Sequence, residues 1–233
     1  MFDSFREAGK IIAALKSTLE HKGKEADSEV LGAMTALQQV FDIAQAVDEQ
    51  DEMLTPDEIS DIGEHGFVLI EDLVYKLAAQ KLETAKQDIE QVSLTLAQWV
   101  ITHHGVLNNI QSVVDGLAYL ANALQDKATL AQLADFMGQV AQSCSTLIQH
   151  DLDNSNPDRP WRILNINRGI VATRSHDLDV MAGAFADLIQ RLPMDAPGFF
   201  KEGMSEMVRL NYPEPVRDLM QEFYDRTKLP AVH

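Results

Sequence analysis

Apolar residues that recur every three or four positions constrain this chain more than any other feature. That spacing places the apolar side chains on one face of an α-helix. One stripe consists of Leu107, Ile110, Val113, Val114, Leu117, Leu120 and Leu124, and another of Val30, Met34, Leu37, Phe41 and Ala44. No stretch shows the period of two that a half-buried strand requires, so the sequence predicts an all-α protein.

The sequence predicts ten helices, and the short connections between them favour antiparallel neighbours. The predicted ranges are 3–22, 27–48, 55–79, 82–104, 106–125, 128–150, 160–175, 177–192, 196–210 and 213–227. We therefore expect a helical bundle or a stack of helical hairpins, with residues 1–233 forming a single domain. The Asn-, Asp- and Pro-rich loop 151–160 marks a candidate boundary within that domain.

Local signals refine the ends of individual helices. The segment TPDE at 55–58 is typical of a helix start, because its threonine and glutamate can form a capping box. We expect Asn156 or Asp158 to cap the helix that begins near Pro160. Gly63 and Gly66 are expected to split or kink the third helix.

Charge and composition exclude several classes of protein. A net charge of −17 argues against binding to nucleic acid or to an anionic membrane, since phosphate contact needs a basic face. No apolar run approaches the roughly 20 residues of a membrane span, and the charged start MFDSFREAGK does not resemble a signal peptide. The single cysteine, Cys144, cannot form an internal disulfide, so we expect a cytoplasmic protein.

The arginines concentrate in the last third of the chain. Residues 159–233 contain eight of the nine arginines and equal numbers of acidic and basic residues. Arginine binds carboxylate and phosphate through planar, bidentate contacts. These arginines pair either with acidic residues of the same protein or with an anionic ligand, and the sequence leaves both alternatives open.

The segment 150–177, HDLDNSNPDRPWRILNINRGIVATRSHD, places polar residues where its helix should be apolar. At 100° per residue, the predicted buried side consists of Ile163, Leu164, Ile166, Ile170 and Val171. Asn167 and Arg174 fall within that side, and Arg168 and Trp161 share its adjoining edge. Burying such polar groups without partners costs several kcal/mol, so something must satisfy them.

Two arrangements satisfy the polar groups of this segment. In the first, the internal partners are acidic residues of the same region, such as Asp151, Asp153 or Asp187, or Arg174 lies near the end of its helix. In the second, a groove presents Asn167, Arg168 and Arg174 to a carboxylate or phosphate, and Trp161 forms an apolar wall. The second arrangement makes these four residues the candidate binding site.

Two His-Asp dipeptides, His150-Asp151 and His176-Asp177, resemble those of the HD-type metal-dependent phosphohydrolases. The resemblance implies a metal held by these four residues and by a further histidine, His65, His103 or His104, on facing helices. The residues that follow each dipeptide, LDNSN and LDVMA, differ from the pattern of that family. A metal-dependent phosphohydrolase is therefore an alternative function.

The C-terminal third also carries a spacing that resembles tetratricopeptide repeats. Gly169 and Gly203 are 34 residues apart, each in the first helix of a predicted pair, and Phe185 and Pro193 follow the first glycine. Leu219 stands where a second copy would repeat Phe185. The resemblance implies stacked helix pairs over this part of the chain.

The predicted function is a non-catalytic, cytoplasmic binding protein that acts as an adaptor, accessory or regulatory protein. Its expected partner is a protein, a peptide or an anionic group held by segment 150–177, and no cofactor is expected. A sensor of a small anionic ligand is a further alternative. The apolar cluster of Phe199, Phe200, Met204 and Met207 forms either part of the core or a methionine-lined groove for a partner helix.

Overall fold

The computed structural model describes residues 5–21, 28–50, 54–152 and 154–228. Within these ranges 82% of the residues are helical and no strand is present, which confirms the predicted all-α fold. The helices are α1 (Phe5–His21), α2 (Ser28–Gln50), α3 (Pro56–Ala79), α4 (Glu83–Thr102), α5 (Gln111–Ala123), α6 (Lys127–Ser143), α7 (Thr146–Gln149), α8 (Pro160–Ser175), α9 (Leu178–Arg191), α10 (Ala196–Arg209) and α11 (Glu214–Thr227). No helix in the described ranges is both long enough and apolar enough to cross a membrane.

The chain divides into two compact units. Unit 1 comprises Met1–Leu120 and Gln142–Leu152, and unit 2 comprises Ala121–Ala141 and Asp153–His233. The chain therefore passes from unit 1 to unit 2 within α5, returns to unit 1 within α6, and enters unit 2 again in the loop that follows α7.

Unit 1 is built around helices α1 to α4. Each helix packs against the next along the chain, and α1 also packs against α4, so the four helices surround one core. The predicted stripe of α2 is buried, from Val30 to Val47, and faces this core. The predicted start of α3 is confirmed, because Thr55 and Glu58 form both hydrogen bonds of a capping box.

The glycines of α3 do not split or kink it, contrary to the prediction. The helix continues from Pro56 to Ala79, and both glycines face α4. A Cβ atom on Gly63 would lie 2.5 Å from Val100, and one on Gly66 would lie 2.5 Å from Leu96. The two glycines therefore allow α3 and α4 to approach closely, which explains their presence without any backbone distortion.

Two predicted helices are shorter than expected because their ends bond to each other. The backbone N–H of Leu107 donates to the Ser143 carbonyl at 2.8 Å, and the N–H of Ser145 donates to the Leu107 carbonyl at 2.9 Å. Backbone groups used in this short parallel bridge are not available for helical hydrogen bonds. As a result α5 begins at Gln111, and the predicted helix 128–150 divides into α6 and α7.

Neither predicted residue caps α8. Its N-terminal boundary residue is Arg159, which forms no side-chain cap, and Pro160 occupies the first turn. The Asn156 side chain instead accepts a hydrogen bond from the backbone N–H of Asp158 at 2.9 Å. The asparagine therefore stabilises the turn before the helix, a role common for Asn in loops.

In unit 2, α8 packs against α9, α10 packs against α11, and α9 also packs against α11. Phe185 of α9 lies between these helices, with its ring centre 5.1 Å from that of Phe200 and 5.4 Å from that of Phe223. The two glycines that are 34 residues apart, Gly169 and Gly203, pack against different kinds of neighbour. Gly169 lies against Phe199 of the next helix pair, whereas Gly203 lies against Met220 of its own pair.

Glycine contacts yield a stability prediction for unit 1. A Cβ atom on Gly116 would lie 2.6 Å from the backbone oxygen of Glu90, which cannot move aside, so Gly116→Ala should lower the free energy of unfolding by about 2 kcal/mol. In the control, Gly32→Ala meets nothing within 4 Å and should raise it by about 0.5–1 kcal/mol. Urea denaturation followed by circular dichroism measures both. A free energy of unfolding for Gly116→Ala that equals or exceeds that of Gly32→Ala would contradict this packing of α4 and α5.

Candidate functional site

A cleft of about 490 Å³ lies beside α8 and α10 in unit 2. Its α8 wall is formed by Arg162, Ile166, Ile170, Thr173 and Arg174, and its α10 wall includes Gly198, Phe199, Glu202, Gly203, Glu206 and Met207. Met194, Asp195, Leu210, Tyr212 and Met220 complete it. We call this site the α8–α10 cleft. Its volume falls within the range of known ligand pockets, and its walls are mainly apolar.

The two helices that form the walls of the cleft, α8 and α10, are parallel to each other. At the start of both helices, Arg162 pairs with Asp195, with 2.6 Å between Nε and Oδ1. Beyond the ends of both helices, the rings of His176 and Tyr212 lie 4.9 Å apart. Between these points Phe199 of α10 lies against Gly169 of α8. Contacts at both ends and in the middle therefore fix the width of the cleft.

The buried face of α8 is not the face that the sequence predicts. Leu164 and Val171 are buried as expected, but Ile170 is 44% exposed and Ile163 and Ile166 are only half-buried. The residues that are buried are Trp161, Leu164, Asn165, Arg168, Gly169, Val171, Ala172, Thr173 and Ser175. The helix thus directs polar and small residues inward, and Ile166 and Ile170 line the cleft.

A buried guanidinium explains this orientation of α8. The Arg168 side chain donates from Nε to the Ala134 carbonyl at 3.1 Å and from Nη1 to the carboxylate of Asp187. It lies against Gly138 of α6, where a Cβ atom would be 2.8 Å from the guanidinium carbon. Of the two alternatives for Arg168, these contacts favour the internal one, with Asp187 as the partner.

The same network reaches Trp161 through Arg191. Arg191 lies 3.4 Å from the Asp187 carboxylate and donates to the side-chain oxygen of Asn165 at 3.2 Å. Asn165 in turn donates to the Trp161 carbonyl at 2.9 Å. The Arg191 guanidinium also lies over the Trp161 ring, 5.7 Å from its centre. Trp161 is therefore a buried packing residue and not a wall of the cleft.

Arg174 joins α8 to the end of α5. Its guanidinium donates to the carbonyl of Ala121 and, at 2.6 Å, to the carbonyl of Leu124. These carbonyls lie at a helix C-terminus, where no backbone partner remains and positive charge is favourable. Among the four predicted site residues, Arg174 lines the cleft, whereas Trp161, Asn167 and Arg168 do not.

The predicted apolar cluster of α10 is divided between the core and the cleft. Phe199 and Met207 line the cleft, whereas Phe200 is fully buried against Phe185 and Phe223. Met204 is half-buried and does not line it. The sequence analysis assigned the whole cluster either to the core or to a groove, whereas the structure divides it between the two. The exposed residues at the mouth of the cleft, Met194 and Leu210, had no distinct signal, because they stand in connections between helices.

The His-Asp dipeptides occupy helix boundaries. Asp177 caps α9 by accepting from the backbone N–H groups of Asp179 and Val180, each at 3.1 Å. His150 is exposed at the end of α7 in unit 1. In the part of the chain that the structure describes, no three His, Cys, Asp or Glu side chains are grouped as metal ligands would be. Three residues of the metal-site alternative, His150, His176 and Asp177, are thus residues that begin or end helices.

His176 ends α8 in the left-handed conformation, with φ 60°. Its Nδ1 lies 3.0 Å from the ammonium of Lys127. Burial and, to a smaller extent, the nearby charge of Lys127 lower the pKa of His176. The neutral ring therefore accepts a hydrogen bond from Lys127, beside the Tyr212 end of the cleft.

Comparisons with protein-family models, with curated proteins and with solved structures found no significant match.

The network around Arg168 gives a prediction for stability. Arg168→Met removes one partner of a largely buried ion pair and leaves the Ala134 carbonyl without its donor, so the free energy of unfolding should fall by about 2 kcal/mol. Arg209→Met is the control, because the Arg209–Glu206 pair is exposed and screened by water, and its loss should change stability little. Thermal and urea unfolding measure both variants. Similar effects of the two would show that Arg168 is not part of the core.

The pKa of His176 gives a prediction for pH dependence. Because the folded protein lowers this pKa, the unfolded chain takes up a proton first as the pH falls below about 6.5, and stability should decline there. His176→Asn keeps a residue that tolerates the left-handed conformation and should make the decline between about pH 7 and 5 shallower. His104→Asn is the matched control, since His104 is exposed and also left-handed, with φ 61°. An equally steep decline in His176→Asn and wild type would contradict the prediction.

Proposed function

We propose that this protein is a non-catalytic binding protein that holds a segment of a partner protein in the α8–α10 cleft. The single observation that carries the proposal is the inverted orientation of α8. Ile166 and Ile170 line an open cleft, while Asn165, Arg168 and Ser175 of the same helix are buried. Exposed apolar surface of this kind, gathered in a concave site, is a common mark of protein interaction.

The chemistry of the walls supports a protein partner more than an anionic ligand. The donors of Arg168 are directed to Asp187 and to a backbone carbonyl, and those of Arg174 are directed to the end of α5. An anion would have to compete with these contacts for the same side chains. Methionine side chains, in contrast, adapt to varied apolar surfaces, and Met194 and Met207 both line the cleft.

An adaptor, accessory or regulatory role follows from such a binding site. Catalysis would need reactive groups that converge on a substrate, and the two arginines of the cleft wall are instead engaged with other groups of the protein, Arg162 with Asp195 and Arg174 with the end of α5. We also propose a cytoplasmic location, since Cys144, the single cysteine, is a buried free thiol.

Site-specific photocrosslinking tests the proposal. A photoreactive phenylalanine analogue at Met194, which is 88% exposed at the mouth of the cleft, should crosslink to a partner in extract from cells that produce the protein. The same analogue at Tyr75, which is 76% exposed on α3, is the control. The partner captured at Met194 is then identified and purified, and its affinity is measured directly.

Two glycine variants then decide whether the cleft itself is the binding site. Both glycines are exposed and nothing lies within 4 Å of a Cβ atom at Gly198 or at Gly183, so a side chain at either position starts in open space. Gly198→Trp fills the cleft and should weaken binding of the purified partner at least tenfold, whereas Gly183→Trp on α9 should leave it unchanged. Equal affinity of both variants, or identical crosslinking at Met194 and Tyr75, would refute the proposal.

A further inference from the structure

The charges on the walls of the α8–α10 cleft leave a carboxylate without a cation. Arg162 is paired with Asp195 and also donates from Nη1 to the Pro157 carbonyl at 3.1 Å. Arg174 is bound to two carbonyls at the end of α5. Glu202 is exposed on the α10 wall and forms no ion pair with any residue that the structure describes. Bonds to neutral carbonyls do not cancel the charge of Arg174, so the lining holds three carboxylates, Asp195, Glu202 and Glu206, against two guanidinium groups, a net charge of −1.

A second carboxylate stands one turn further along the same wall. Glu206 pairs with Arg209, three residues later on the exposed side of α10, and water screens this pair strongly. A cation of a partner can therefore share Glu206 with Arg209 at little cost. The net charge of −17 acts in the same direction, because it repels acidic segments and attracts basic ones before contact.

The walls of the cleft offer no free backbone hydrogen-bonding groups, which favours a helical partner over an extended one. Both walls are helices, whose backbone N–H and C=O groups are already bonded within the helix. An extended peptide needs outside partners for its own backbone groups, and these walls provide no strand edge for it. A helix satisfies its backbone internally and needs only apolar contact with side chains such as Ile166 and Ile170.

The dimensions of the cleft agree with a helix of modest length. Its lining residues on α10 and just beyond run from Gly198 to Leu210, which corresponds to about 18 Å at the rise of an α-helix. Those on α8 run a similar distance, from Arg162 to Arg174. A partner helix of about 12 residues covers this length with apolar residues at positions i, i+3 or i+4, and i+7.

We propose that the occupant of the α8–α10 cleft is a basic amphipathic helix of a partner protein. Its apolar face packs on Ile166, Ile170 and Phe199, and its lysine or arginine side chains pair with Glu202 and Glu206. The inference rests on the proposed function and names the class of partner that the same site recognises.

Selection from a displayed library of random peptides of about 16 residues, roughly four helical turns, tests the inference. The library is first depleted on the Gly198→Trp variant and then selected on the wild-type protein, so that the surviving peptides require an open cleft. The selected peptides are synthesised, and their affinities are measured by fluorescence anisotropy. Circular dichroism of each protein variant checks that it is folded.

The expected peptides have lysine or arginine beside apolar residues at helical spacing, and a central proline in the peptide should abolish binding. Glu202→Lys should weaken their binding about three- to tenfold. Asp218→Lys is the matched control, because it makes the same change of net charge at an exposed position of α11 that does not line the cleft. It should leave the affinity within about twofold of wild type.

Other outcomes separate this inference from the proposed function. The selected peptides could require the open cleft and yet be acidic, tolerate proline, or lose affinity equally with Glu202→Lys and Asp218→Lys. Any of these results would refute the proposal of a basic helix but would still support the cleft as a binding site. Self-association that Gly198→Trp abolishes would identify a second copy of this chain as the occupant instead. The absence of any peptide that distinguishes wild type from Gly198→Trp would overturn both proposals.

Discussion

The buried guanidinium of Arg168 is the interaction on which the rest of unit 2 depends. A charge removed from water requires both an opposite charge and hydrogen-bond acceptors, and Asp187 and the Ala134 carbonyl supply them from α9 and α6. Because these partners lie on two different helices, α8 has a single rotational setting that satisfies the charge. Packing of the guanidinium on Gly138 leaves no room for an alternative side chain there.

The rotation of α8 that buries Arg168 also determines where the isoleucines two positions away point. Residues two positions apart on a helix point about 200° apart, so turning Arg168 inward turns Ile166 and Ile170 away from the core. The apolar surface of the cleft and the buried ion network are therefore two results of one orientation. The contacts of Arg162 with Asp195 and of His176 with Tyr212 then hold α10 beside α8 and keep the apolar surface open.

Much of the fold was predictable because local rules govern it. Helix α2 of unit 1 buries its predicted apolar stripe, and the capping box of Thr55 and Glu58 begins α3 as predicted. The errors arose where distant backbone or side-chain groups decide the local structure. The bridge between Leu107 and Cys144 shortened two predicted helices, and contacts with α4 made Gly63 and Gly66 packing residues within a continuous helix.

The candidate site shows the same division between sequence and structure. The sequence by itself determined that the protein is helical, acidic and unusual at segment 150–177, since periodicity, charge and composition are properties of the chain alone. Only the tertiary structure decided that Arg168 is buried and that Ile166 and Ile170 of α8 face the cleft. The physical reason is that hydrophobic periodicity assigns the apolar face to the core, whereas a buried ion pair overrides this rule through partners that are distant in the sequence and adjacent only in the folded protein.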